Sequence, residues 1–294
     1  MLASSVLPAS RLFPAPKVPF DTEMAVVTAG NVAFQEIGGV TYVAAEDGPS
    51  HPRYALVRTT LAIDPVDAAH AIVTRLSWRS PGPAIPTQRV IVVEDGASVE
   101  SMAPVFANAG LRRERITFFG ARTHELARGT QLELEPLIGD DAWRLWASVE
   151  REVLAEAIAP EALTEAQLDR SVQFKRKQQR ESPPIRRFVA RLPAAQGGSS
   201  EPIAMIGYAP FGACDLGLGA PGVLARLRDV AVRASHRRRG VGAALLRGLA
   251  ARVIDECNAT QLLIGGVAGP AAALYRRIGA RALDGCTIFS GRLG

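Results

Sequence analysis

Arg226-Leu227-Arg228-Asp229-Val230-Ala231-Val232-Arg233-Ala234-Ser235-His236-Arg237-Arg238-Arg239-Gly240-Val241-Gly242-Ala243-Ala244-Leu245 decides how this 294-residue chain is read. A β-forming run ends at Val232, a short basic turn follows, and a helix is expected from about Val241. Val241, Leu245, Leu249 and Val253 recur every four residues and form one apolar stripe, which Leu246, Ala250 and Ile254 widen. A helix that opens behind a strand offers unpaired backbone N–H groups and a positive dipole end, and both suit phosphate oxygens. Gly240 and Gly242 lack a Cβ, so a diphosphate can approach the main chain there. Arg237, Arg238 and Arg239 place positive charge at the mouth.

The sequence continues from this stretch in a definite order. Gln261–Val267 reads as a buried strand, and Pro270 opens a short helix that carries Tyr275 and closes at Gly279. Upstream, Leu132–Leu137 reads as a strand. Helices are expected over 140–157, with Trp143, Trp146, Val149 and Val153 on one face, and over 164–179. Strands follow at 185–192, 202–209 and 223–232, with a hairpin loop at 194–201.

The order and spacing resemble the GCN5-related N-acetyltransferase (GNAT) superfamily, whose acetyl-CoA motif is Gln/Arg-x-x-Gly-x-Gly/Ala. Here it is Arg237-x-x-Gly240-x-Gly242. Ala272-x-Leu274-Tyr275-Arg276-Arg277-x-Gly279 is similar to the family's late motif. The resemblance covers about 220–281 and extends back toward Leu132. It implies acetyl-CoA as acyl donor, bound by the main chain of Val230, Ala231 and Val232 and by Arg237, Arg238, Arg239, Gly240, Val241, Gly242 and Ala243. It implies direct transfer to an amine acceptor, a small molecule or a peptide, with Tyr275 as proton donor to the departing thiolate. The competing role for Tyr275 is to pack its ring into the core.

This chain also departs from the family pattern. Ala268 stands where an Asn is common, Gly279-Ala280 replaces Gly-Phe, and no glutamate lies on the 223–232 strand. Asp229 is the only carboxylate on that strand. It is a candidate catalytic base, although pairing with neighbouring arginines is the preferred role.

The first half, 21–128, alternates strand-like and helix-like segments. Strands are expected at 39–44, 54–61, 88–93 and 116–119, and helices at 64–75 and 98–109, with Pro104 inside the second. It has the shape of the same fold without Arg-x-x-Gly-x-Gly. The expected fold class is therefore α/β, with two tandem GNAT-like domains, each a mixed, mostly antiparallel sheet flanked by helices. The expected division is an arm at 1–20, a degenerate domain at 21–128 and an acetyl-CoA-binding domain at 129–294.

Composition narrows the alternatives. Hydrophobic residues are 48% and charged residues 21%, the balance of a globular chain rather than a disordered one. No apolar run approaches the roughly 18–20 residues of a membrane span, so no membrane partner is expected. The formal net charge is +5, and 31 of the 34 basic residues are arginine. The arginine clusters have no interleaved aromatics, which argues against nucleic acid as the partner. Cys214, Cys257 and Cys286 are widely spaced without Cys-x-x-Cys, and the four histidines lie far apart. A metal site is not expected, and a reducing cytoplasm is the simplest compartment.

Three further motifs are weighed. Gly217-x-Gly219-x-x-Gly222 has the dinucleotide spacing but leads into a strand rather than a helix, so it reads as a loop. Lys175-Arg176-Lys177 with Arg180, Arg186 and Arg187 reads as a solvated face or, less readily, as an anion clamp. The functional alternative to an enzyme is an acyl-CoA-binding sensor or scaffold without turnover.

Overall fold

The computed structural model describes residues 19–28, 33–44, 53–58, 61–77, 89–94, 96–157, 164–180, 184–191 and 201–291. The expected arm lies outside these residues up to position 18, and the expected 194–201 loop lies outside them up to position 200. In chain order the elements are α1 (Pro19–Thr28), β1 (Ala33–Ile37), β2 (Val40–Ala44), β3 (Arg53–Val57), α2 (Pro65–Ser77), β4 (Arg89–Glu94), α3 (Ala97–Asn108) and β5 (Arg112–Arg122). There follow α4 (Thr123–Leu126), β6 (Leu134–Pro136), α5 (Gly139–Ala157), α6 (Glu165–Arg180), β7 (Arg186–Arg191) and β8 (Pro202–Cys214). The chain then forms β9 (Gly222–Val232), α7 (Val241–Cys257), β10 (Gln261–Val267), α8 (Pro270–Arg277) and β11 (Arg281–Gly291).

The chain forms two compact units. The first holds 19–118, 266–269 and the described part of 283–294; the second holds 119–265 and 270–282. The units thus part at 118/119, ten residues before the expected boundary, and the C-terminal stretch belongs with the first.

In the first unit β1, β2 and β3 are successively antiparallel, and β4 runs parallel to β3 after the α2 crossover. β11 closes this arrangement, with Cys286–Gly291 antiparallel to Arg89–Glu94. Asp64 starts α2, its Oδ1 accepting the N–H groups of Val66 at 2.8 Å and Asp67 at 3.3 Å, with Pro65 following. Ile72, Met102, Phe106 and Phe289 are central to its core, and the Phe106 and Phe289 rings lie 4.7 Å apart. Pro104 does not end α3. It faces solvent, while Met102 and Phe106 are buried on the opposite face.

In the second unit the strand order is β10-β9-β8-β7-β6, with β10 parallel to β9 and β6 to β9 successively antiparallel. Alternation along the strands builds two apolar layers. Phe188, Ala190, Tyr208, Ala225 and Leu227 join Leu245, Leu249 and Val253 of α7 in one. Val189 and Met205 join Trp143, Trp146 and Val149 of α5 in the other. The expected faces of both helices are therefore the buried ones. Gly248 lets α7 lie close to the segment that leads into β6, because a Cβ there would collide with the Leu132 carbonyl oxygen. The mixed, mostly antiparallel α/β architecture matches the expected class.

Candidate active site

The site is built where β9 and β10 part. Their parallel pairing runs only from Leu224–Gln261 to Arg226–Leu263. Beyond it β9 continues for six more residues, and Arg228 to Val232 are partly exposed. The cause is visible in the β8–β9 ladder. Gly207 opposes Arg228 and Met205 opposes Ala231, so two steps on β8 match three on β9. Asp229 lies in that interval at φ +51°, in the left-handed region. An extra residue of this kind kinks and twists its strand, and here it turns β9 off the β10 ladder.

Arg226 occupies the crotch of this fork. It is buried, its Nη1 lies 3.4 Å from the carbonyls of Leu227 and Leu263, and its guanidinium fills the space beside Gly265. Tyr275 is buried on α8 with its ring centroid 5.5 Å from that of Phe119. Burial raises its phenol pKa, and the Arg226 charge opposes the rise. At neutral pH the phenol keeps its proton and is available as a donor.

Behind β9 the chain makes one 3₁₀ turn, Ala234–His236, and reaches the α7 N-terminus. Gly240 is the N-cap at φ +81°, a conformation that disfavours other residues, and no side chain caps the helix. The first-turn N–H groups of Val241, Gly242 and Ala243 therefore remain available to an external acceptor. Arg238 and Arg239 are exposed, without an ion pair among the described residues. Arg237 is tied down: its Nε donates to the Val232 carbonyl at 2.9 Å, and its Nη2 lies 2.8 Å from Glu156 Oε2. Gly242 packs against Leu274, the residue before Tyr275, which brings the helix start and the tyrosine helix together.

Asp229 takes the preferred pairing role. Asp229 is not an open carboxylate. Its Oδ2 accepts from Arg187 Nε at 2.7 Å, and Lys175 Nζ lies 4.0 Å from Oδ1. Burial alone would raise its pKa, but the charges of Arg187, Lys175 and Arg228 outweigh it and hold the carboxyl below the usual range. A group so placed is a poor proton acceptor at neutral pH. The basic cluster is not an anion clamp either: Lys175 pairs with Glu150, Arg176 with Asp140, Arg186 with Glu256 and Arg187 with Asp229. Arg226 has no assignment from the sequence and Arg187 reads there as part of a solvated basic cluster, yet both are buried, because apolar patterning marks core positions without saying which arginines the core encloses. The one available signal was an arginine interrupting Leu224-Ala225-Arg226-Leu227.

Among the described residues the first unit has no equivalent fork. β3 and β4 stay paired over five successive residues, and the Asp64 carboxylate already takes N–H groups of α2. Gly217 to Gly222 forms the loop entering β9, as read from the sequence. Ser235 Oγ and His236 Nδ1 lie 2.9 Å apart on the exposed turn. Among the described residues no cluster of His, Cys, Asp or Glu is suited to a metal ion, and no helix is long and apolar enough to cross a membrane.

The family model for the acetyltransferase (GNAT) domain matches residues 188–279, which contain the fork, the basic turn and the tyrosine helix. The chain carries a GNAT domain. Solved structures extend this GNAT fold over the remaining length. A functionally unknown conserved protein from Staphylococcus epidermidis superposes with a TM-score of 0.61 at 10% identity, covering 95% of this chain and 99% of that one. A tandem GNAT protein from the clavulanic acid biosynthesis pathway gives 0.53 at 15% identity, covering 98% and 93%. A GCN5-related N-acetyltransferase from Kribbella flavida gives 0.52 at 16%, covering 95% and 97%. At these identities the likeness is one of fold, through both halves of the chain. No curated protein sequence matches it.

Proposed function

We propose that the GNAT domain binds acetyl-CoA in the β9–β10 fork and transfers its acetyl group directly to an amine held in a ternary complex. The observation that carries this reading is the parting of β9 from β10 beside an α7 N-terminus that no side chain caps. The diphosphate would lie on the N–H groups of Val241, Gly242 and Ala243, with Arg237, Arg238 and Arg239 around it. The pantetheine amides would pair with the main chain of Val230, Ala231 and Val232 as another strand would. Tyr275, protonated at neutral pH, would protonate the departing thiolate. With Asp229 engaged by Arg187, the attacking amine would lose its proton to a water chain rather than to a β9 carboxylate.

In the same reading the second unit is the acetyl-CoA-binding domain and the first unit a degenerate counterpart. The acceptor is a small-molecule or peptide amine. Three buried free thiols, Cys214, Cys257 and Cys286, suit a reducing cytoplasm. The test is thioester consumption from acetyl-CoA against a panel of amines, with released CoA as readout. Amine-dependent release supports the reading. Acetyl-CoA binding without release for any amine supports the second reading, a sensor or scaffold, which the committed Asp229 carboxylate favours.

A further inference from the structure

The fork depends on one residue held in an unfavourable conformation, and the structure places a buried ion pair on that residue. Asp229 takes φ +51°, where the side chain of an L-residue crowds its own carbonyl. Aspartate is one of the few L-residues that visits this region, and it does so when its short polar side chain is held by a hydrogen bond. The partner is Arg187 on β7, whose side chain is 1% exposed. Its guanidinium has been set in place by other bonds. Nη1 donates to the Lys175 carbonyl at 2.8 Å, Nη2 to Gln178 Oε1 at 2.6 Å, and Nε is left aimed at Asp229.

A second set of contacts steadies the other side. Lys175, 4.0 Å from Asp229, is held by Glu150. Glu150 is itself fixed by Trp146 Nε1 and Ser171 Oγ, each at 2.7 Å. Both cations also lie over the Trp146 ring, Lys175 at 5.5 Å and Arg187 at 5.9 Å from its centroid. Lys175 and Arg187 pair with Glu150 and Asp229, with the Arg228 charge also near Asp229, so removing one partner of the set is costly.

We propose that Arg187 is a positioning residue for acyl-CoA. Acting through Asp229, it holds β9 in the left-handed kink that opens the fork. The inference rests on the acyl-CoA reading of the fork and adds to it the device that keeps the fork open. Without Arg187 the Asp229 carboxylate loses its anchor, and β9 relaxes toward an ordinary extended path alongside β10, where the pantetheine main-chain partners would be used by the sheet itself.

The experiment is calorimetric titration of the full chain with acetyl-CoA, with folding of each variant checked by thermal unfolding. Arg187→Met keeps the volume and removes the charge; its Kd should rise about tenfold or more, given the cost of a left-handed non-glycine residue. Arg187→Met combined with Asp229→Gly should recover most of that loss, because glycine adopts φ +51° unaided and brings no buried charge. If Arg187→Met does not fold, Asp229→Ala and Asp229→Gly serve instead. Both lose the carboxylate, but only alanine is strained, so alanine should bind acetyl-CoA more weakly than glycine.

A folded Arg187→Met with wild-type Kd, or equal Kd for alanine and glycine at 229, overturns the positioning role. A loss of thermal stability alone, with Kd unchanged, does the same. Failure of the wild-type chain to bind acetyl-CoA removes the functional reading instead, and is read from a different protein in the same experiment.

Discussion

Gly242 in the first turn of α7 lies against Leu274 of α8, so that a Cβ at Gly242 would stand 3.0 Å from Leu274 Cδ2. The contact couples the helix start assigned to the diphosphate with the helix that carries Tyr275. It also sets what substitution at Gly242 does. A single methyl displaces one flexible leucine end by a few tenths of an ångström, whereas a carboxylate adds negative charge where the phosphates would sit.

Gly242→Asp should therefore fold and lose acetyl-CoA binding, while Gly242→Ala should bind with a Kd raised by less than about tenfold. Calorimetry on both, with circular dichroism to check folding, tests the assignment. An aspartate variant with wild-type affinity would remove this loop from the site.

Tyr275→Phe keeps the ring and its contact with Phe119 but removes the proton donor. The expected result is a fall in kcat of roughly 10²–10⁴-fold with a smaller change in KM for acetyl-CoA. Single-turnover thioester cleavage is the appropriate measurement, since slow product release would mask the chemical step. A variant equal to wild type in single turnover makes Tyr275 a packing residue.

One acetyl-CoA should bind per chain. The first unit keeps β3 and β4 fully paired and plugs the α2 N-terminus with Asp64. A calorimetric stoichiometry of two would mean that the first unit also accepts the cofactor.

Phe289→Ala should destabilise the chain by about 3–5 kcal/mol, because it empties a buried position beside Phe106 on the strand that closes the first unit. Chemical denaturation followed by fluorescence or circular dichroism measures the loss. It also follows that residues 21–127 expressed alone lack β11 and should not reproduce the native first unit.

Asp229 ties part of the stability to acid pH. Its folded-state pKa is depressed, so its contribution is complete above the unfolded carboxyl value of about 3.9 and is lost as pH falls toward the folded value. Asp229→Asn should be less stable than wild type at pH 7, by about 3 kcal/mol as for a broken buried pair. The gap should narrow below about pH 4. An equal gap at pH 7 and pH 3 would show that the ion pair contributes no acid-linked stability.

Residues near in the chain were enough to read the motif and most elements. Arg237 to Ala243, the α7 stripe, the α5 tryptophan face and Tyr275 on a short helix are all set by spacing, since helical and strand periodicities and the glycine positions act over a few residues. β11, β1 and α1 were not read from the sequence. β11 is mixed in polarity over Arg281–Gly291, and its burial comes from β4, nearly two hundred residues away. The same reason hid the state of the charges. Asp229 and Arg187 are 42 positions apart, Lys175 and Glu150 are 25 apart, and only the packing of α5, α6, β7 and β9 turns them from a basic run and a lone carboxylate into paired charges. Whether β9 and β10 part was likewise decided in three dimensions. The kink needs a left-handed residue at 229, and the aspartate there is held by a partner that no local pattern in the sequence brings beside it.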